Sequence, residues 1–268
     1  MQAAVTVGRW PARLAELLRV TPNVEPIHET VTVRSSLGQA ERLRVAFAAD
    51  WHAGPSTSLR TLEGAVAAIE AARPDVVLLG GDFVSLRAKH GRQLMPLFRR
   101  LVAGAPTYAV LGNHDHFVGA EAVLAQLEQA GVVPLENLGV GLAPPFEHVS
   151  IVGIDDHVSG APDATRAFHG AGQVRILLMH QPSGLLDLNA DHYDVAFAGH
   201  THGGQIVVPG LPPFFVPRGP LSREFLAGRF ETERGVLFVS RGVGCTLLPV
   251  RWNARADVLI VDLLSPER

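Results

Sequence analysis

Five apolar runs in this 268-residue chain each end in a side chain able to bind a metal or move a proton. VAFAAD stops at Asp50, with His52 two residues on; VVLLGGD stops at Asp82; YAVLGNHD stops at Asn113, His114 and Asp115. RILLMH stops at His180, and VAFAGH stops at His200, with His202 after it. Each motif has a bland reading when taken alone. An aspartate after paired glycines caps helices, GNHD makes a polar turn, and a lone histidine hydrogen-bonds inside a core. Five strand ends together resist that reading, because strand ends in an α/β sheet face one crevice, where ligands bind. Carboxylate, amide and imidazole donors without thiolate suit borderline divalent ions such as Mn²⁺, Zn²⁺ or Fe²⁺. Seven of them (Asp50, His52, Asp82, Asn113, His180, His200 and His202) exceed the needs of one tetrahedral ion. They fit two ions if one carboxylate is shared, the arrangement of two-metal hydrolases.

The elements that must position these residues follow from the hydrophobic pattern. LRVAFAA, DVVLLG and PTYAVLG read as strands, separated by helical stretches from about Ser58 to Ala72 and through LMPLFRRLV. A third helix, AEAVLAQLEQAG, is closed by Gly131. This alternation predicts buried sheet strands with covering helices. Later, HVSIVGID, VRILLMH, YDVAFAGH, GVLFVSRG and ADVLIVDL read as strands with short connections. The fold class expected is therefore α/β, with a second sheet packed on the first and helices outside. Alternation along extended backbone would set Asp50 and His52 on one side and Trp51 on the other, and aim His200 and His202 together. Residues 1–40 are expected as an extension with a short helix and a first strand (ETVTVRS), and 41–268 as one domain. The proline-rich VPGLPPFFVPRGP is expected to be a stiffened loop.

Composition excludes several classes. A formal net charge of −3 without a long run of either sign gives no broad basic surface, so no nucleic-acid partner is expected. Cys245 is the sole cysteine, which rules out an internal disulfide and a cysteine-based zinc site. No apolar stretch approaches the length that spans a bilayer, and the N-terminus lacks the apolar core of a secretory signal. Leu14, Leu17 and Leu18 share one face of a short helical pattern beside Arg13 and Arg19. That face fits a helix lying on a membrane surface or one packed on the domain. The expected location is the cytoplasm, with peripheral contact at the inner membrane surface left open.

The ordered set DWH, GGD, GNHD, MH and GHTH, spanning residues 50–202, resembles the calcineurin-like metallophosphoesterase superfamily. GHTHGGQ and the later SRGVG…LPVR also resemble a bacterial branch that includes membrane-associated phosphoesterases and UDP-2,3-diacylglucosamine diphosphatases. The resemblance implies a four-layer αββα sandwich of two mixed β-sheets flanked by helices, with a dimetal site at the strand C-terminal ends. It implies that Asp50, His52 and His202 hold one ion, Asn113, His180 and His200 the other, and that Asp82 bridges them. It further implies in-line attack on phosphorus by a hydroxide between the ions, with His114 as general acid and Asp115 fixing its ring. Arg241 and His157 occupy positions like substrate-side elements of the family, or serve as an ion-pair partner and a turn residue. Two departures stand out: Trp51 fills a slot that is often aliphatic, and the membrane-spanning helix common in the close branch is absent here. The function implied is hydrolysis of phosphodiester or pyrophosphate bonds in a small phosphate ester or a lipid-linked nucleotide. Leu211, Phe214 and Phe215 motivate the lipid. A phosphomonoesterase and a catalytically silent metal-binding scaffold are the alternatives.

Overall fold

Val76–Leu79 and Val195–Ala198 are apolar at every position because both faces of their strands are covered. The computed structural model describes residues 10–17, 21–213 and 215–267. Its first sheet has six strands in the order β1 (Val24–Thr32), β12 (Ala256–Leu264), β2 (Arg42–Ala48), β3 (Val76–Leu79), β4 (Thr107–Ala109) and β5 (Val133–Pro134). Strands β2 to β5 run parallel, β12 is antiparallel to β2, and β1 is parallel to β12. The second sheet orders β10 (Gly228–Thr232), β11 (Gly235–Val239), β9 (Val195–Ala198), β8 (Val174–Leu178), β7 (Val149–Gly153) and β6 (Leu138–Gly141). Its four inner strands are parallel and its two edge strands antiparallel, so both sheets are mixed.

Side-chain alternation divides each strand between two cores. Along β2, Val45 and Phe47 enter the space between the sheets, while Ala46 and Ala48 face outward to the helices. Along β9, Val195 and Phe197 point inward, and Ala196 and Ala198 to the far side. Phe47 meets Phe197 across the two sheets at a centroid separation of 5.2 Å, and Phe197 stacks on Phe238 of its own sheet at 5.7 Å. Burying each of these rings contributes about 1.5–3 kcal/mol.

The outer face of the first sheet carries α2 (Leu59–Ala72), α3 (Met95–Gly104) and α5 (Ala120–Gln129). They insert Leu62, Val66 and Ile69, then Phe98 and Leu101, then Val123 and Leu127. Ser58 caps α2 by accepting the Thr61 N–H at 3.1 Å. Gly131, at φ 88°, lets the chain leave α5, as the glycine pattern predicts. The outer face of the second sheet has a thinner cover: α6 (Ala164–Ala167), a short 3₁₀ turn at Pro182–Leu186, and side chains such as Phe168 and Leu188.

Helix α1 (Trp10–Leu17) packs through Ala12 and Ala15, not through its leucines. The Ala12 N–H donates to the Pro55 carbonyl at 3.0 Å, and the Ala12 side chain is buried beside it. Leu14 and Leu17 remain exposed, and Leu18 and Arg19 lie outside the described residues. Among the described residues no helix is long and apolar enough to cross a membrane.

Candidate metal centre

The strand ends of both sheets meet along one seam. The Asp50 N–H donates to Gly81 O, and the Gly199 N–H donates to His180 O. Val243 and Gly244 donate to Ala49 O and Asp50 O, tying the loop after β11 to the loop after β2. Here the backbone departs from the extended form that alternation would give. Asp50, His52, Asp82, His200 and His202 all have φ between 42° and 72°. Left-handed backbone at residues other than glycine costs about 1–3 kcal/mol each and gathers at functional sites. Strands β2, β3 and β9 thus end by turning their polar residues into the seam. Trp51 turns away as expected, burying its ring edge-on against Phe98 at 5.0 Å.

Two glycines leave room for the carboxylates. A Cβ on Gly199 would stand 2.4 Å from Asp50 Oδ2, and one on Gly112 would stand 2.3 Å from Asp82 Oδ1. The Asp50 carboxylate accepts the His200 N–H at 2.9 Å, and Asp82 Oδ1 accepts the His114 N–H at 2.8 Å. All seven candidate ligands converge. His52 Nε2 lies 3.0 Å from His202 Nε2, and His202 Nε2 lies 3.6 Å from Asp50 Oδ1. His180 Nε2 lies 3.2 Å from His200 Nδ1 and 3.1 Å from Asn113 Oδ1. His200 and His202, though one residue apart, therefore belong to different clusters. Asp82 Oδ2 stands between them, 3.5 Å from His52 Nε2 and 3.6 Å from His180 Nε2.

The donor set fits cations. His180 Nδ1–H donates to Gly80 O at 2.8 Å and His200 Nε2–H to Arg218 O at 3.0 Å, which turns the other ring nitrogen of each inward. Two nitrogens bound to one ion at about 2.05 Å would lie about 2.9–3.3 Å apart, so the close imidazole pairs have the spacing of one coordination edge. Asp50, His52 and His202 are buried together, as are Asp50, Asp82 and His180. The electrostatics agree. Burial pushes the His180 imidazolium down, but the facing carboxylates of Asp82 and Asp50 outweigh it and hold its pKa up at about 9. Burial, helped by the charge of His180, takes His200 down to about 4. Burial drives His52 and His202 well below the usual imidazole range, with the neighbouring imidazoles and Arg251 adding to it. The seam thus concentrates carboxylates and imidazole lone pairs, the chemistry of a buried cation site.

His114 stands at the start of α4 (Asn113–Val118), its ring edge-on to His52 at 4.8 Å. GNHD is thus the first turn of a helix. The resemblance led us to expect Asp115 beside the His114 ring, and the structure places it elsewhere. Its carboxylate accepts backbone N–H groups of Gly112 (3.0 Å), Phe83 (2.9 Å) and Val84 (3.2 Å), because helix α4 turns it back under the strand-end loop. The partner of the ring is the Ser85 carbonyl, which accepts His114 Nδ1–H at 2.9 Å. A backbone carbonyl has no sequence signature, so sequence reasoning misses it.

The two candidate substrate residues separate. Arg241 lies over Gly203 beside the cluster, with Nη1 donating to Asp257 Oδ2 at 3.3 Å. His157 instead has Nδ1 2.8 Å from Asp187 Oδ2 and is not brought into the metal cluster. The adjoining carboxylates of that segment also have partners: Asp155 pairs with His116 at 2.7 Å, and Asp156 accepts Gln181 Nε2–H at 2.6 Å. Arg251, the last residue of LPVR, is a functional candidate that sequence reasoning passed over; its Nη2 is 3.0 Å from His202 Nδ1.

Residues 43–204, most of the ligand-bearing chain, match the sequence signature of the calcineurin-like phosphoesterases. The chain belongs to that family. This phosphoesterase is 29% identical over 243 residues to the uncharacterized metallophosphoesterase YkuE of Bacillus subtilis, covering 87% of this chain and 84% of the relative. It is 30% identical over 232 residues to the phosphodiesterase YaeI of Escherichia coli, covering 84% and 83%. Among solved structures, NAD nucleotidase (NadN) of Haemophilus influenzae aligns with a TM-score of 0.47 at 17% identity. That alignment covers 75% of this chain but only 45% of the longer NadN chain. The phosphoesterase is accordingly a metal-dependent hydrolase of phosphoric ester bonds.

Proposed function

We propose that this phosphoesterase cleaves phosphodiester or pyrophosphate bonds at a pair of divalent ions. Asp50, His52 and His202 would hold one ion, Asn113, His180 and His200 would hold the other, and Asp82 would serve both. The position of Asp82 carries this reading: one carboxylate oxygen lies 3.5 and 3.6 Å from an imidazole of each cluster. The donor set suits Mn²⁺, Zn²⁺ or Fe²⁺. When bound, such a pair supplies Lewis-acid stabilisation of phosphoryl charge and activates water at neutral pH.

The chain's own residues supply the rest. His114, with Nδ1–H held by the Ser85 carbonyl, has Nε2 as the atom able to give a proton to the departing oxygen. Asp115 acts one step back, locking the Gly112 turn to the Phe83–Val84 backbone so that His114 meets the cluster at a fixed place. Arg241, at the rim and a third exposed, is the cation we assign to a non-reacting part of the substrate.

The likeness to a phosphodiesterase of Escherichia coli supports diesters over monoesters. The exposed apolar side chains of Leu211 and Phe215 support a lipid-linked nucleotide of the UDP-2,3-diacylglucosamine type; Phe214 lies outside the described residues. Chain reconstituted with Mn²⁺, Zn²⁺ or Fe²⁺ should hydrolyse an aryl diester faster than the matching monoester. An acylated UDP-sugar should have a lower KM than its deacylated counterpart. Turnover confined to the monoester overturns the diester assignment, and equal KM values overturn the lipid assignment.

A further inference from the structure

Helix α1 is apolar on both sides, whereas a helix lying on a soluble domain keeps its outer face polar. Ala12 and Ala15 pack inward, while Trp10, Leu14 and Leu17, spaced i, i+4 and i+7, stay 45–79% exposed beside Arg13. A narrow cleft lined by Ala12, Ala15, Cys245 and Pro249 sets this helix against the loop that follows β11. That loop continues the apolar surface. It exposes Leu247, Leu248 and Trp252, and the loop after His202 exposes Val208, Leu211 and Phe215, all at 40–63%. Scattered apolar side chains are ordinary on a surface, whereas a group of neighbouring ones marks an interaction site.

The two loops form one unit. Buried Gln205 donates through Nε2 to Thr246 O at 2.9 Å and Leu248 O at 3.1 Å, and its Oε1 accepts the Thr246 N–H at 2.9 Å. The Val207 N–H donates to Trp252 O, and Asn253 Nδ2–H to Val207 O, both at 2.9 Å. This backbone pinning holds the apolar tips out beside the metal seam. Gln205 follows His202 by three residues, and the Arg218 carbonyl accepts from His200.

Charge selects the occupant. Residues 206–223 and 246–255 hold four arginines and no aspartate or glutamate, in a chain whose formal net charge is −3. Arg251 turns inward to Gly244 O, and Arg255 lies 3.8 Å from Glu25. Arg13, Arg218 and Arg223 make no ion pair among the described residues. Two copies meeting through this face would set arginines against arginines, a costly match. An anionic bilayer complements it, because arginines meet phosphate head groups while tryptophan and leucine enter the interface.

We propose that α1 and these two loops dock the phosphoesterase on an anionic lipid surface, with the metal seam opening beside the bilayer. Such docking needs neither an ion nor a lipid substrate, so this surface stands apart from the two-ion reading of the site.

Co-sedimentation of the full chain with vesicles of phosphatidylcholine, alone or mixed equally with phosphatidylglycerol, is the test. The chain should pellet with the mixed vesicles and only weakly with the neutral ones, and high salt should release it. L248S/W252S and W10S/L17S should each bind the mixed vesicles about tenfold more weakly. R218Q/R223Q should lose about as much, with thermal unfolding to check the fold of every variant. Tryptophan emission of the native chain should shift to shorter wavelength on the mixed vesicles, a reading that needs no variant. A native chain that stays in the supernatant, equal binding to both vesicles, or undiminished binding by L248S/W252S and W10S/L17S would overturn the proposal. So would a dimer in solution that L248S/W252S disperses, which would give the face to a second copy.

Discussion

Asp82→Asn should release both ions and lower turnover by roughly three orders of magnitude, the kinetic equivalent of about 4 kcal/mol. Asparagine is the informative substitution because Asp82 has two tasks. Oδ1 accepts the His114 N–H at 2.8 Å, and an amide oxygen can keep that bond and the local shape. Oδ2 faces His52 at 3.5 Å and His180 at 3.6 Å, and there the amide loses the negative charge both clusters use. Alanine would also free the His114 backbone and confound the two effects. Metal analysis beside steady-state kinetics separates the outcomes. A variant that keeps two tightly held ions would remove Asp82 from its shared position.

His114→Ala should do the reverse: keep the metals and slow the chemical step by about 10²–10⁴-fold, the usual worth of a general acid. Geometry alone does not assign this role, since His114, His52 and Asp82 present ligand atoms within 4.8 Å of one another, so His114 stands close enough to ligate. Leaving-group dependence decides between the roles. An aryl ester whose phenolate departs without a proton should lose far less rate than an alkyl ester. Equal loss on both esters, accompanied by loss of an ion, would make His114 a ligand instead.

The sheets were largely legible because buried strands leave continuous apolar runs. VAFAA, VVLL and VAFA can be read as strands without knowing their neighbours, and glycines mark where they stop. The edge strands of the second sheet were not legible. Leu138–Gly141 and Gly228–Thr232 are short, glycine-containing and partly exposed, and neither carries an apolar run. The first strand begins at Val24, ahead of the expected ETVTVRS, because the sheet edge tolerates Pro26.

At the metal centre, donor types and strand-end positions could be read, because few residue types bind divalent ions. The backbone that aims them could not. Alternation supposes extended geometry, whereas His52 and His202 sit in left-handed conformations that no pattern of residue types announces. Partners behind the histidines were equally hidden. Gly80, Ser85 and Arg218 act there through main-chain oxygens, and Arg251 reaches His202 from 49 positions away. The N-terminal helix gave the opposite lesson. Its leucines drew attention, yet Ala12 and Ala15 make the packed face.

Anomalous diffraction from crystals of chain reconstituted with Mn²⁺ tests the central claim most directly. Two peaks are predicted, about 3.5–4 Å apart, one beside His52 and His202, the other beside His180 and His200, with Asp82 reaching both. A single ion, or a pair lying away from Asp82, would contradict the account.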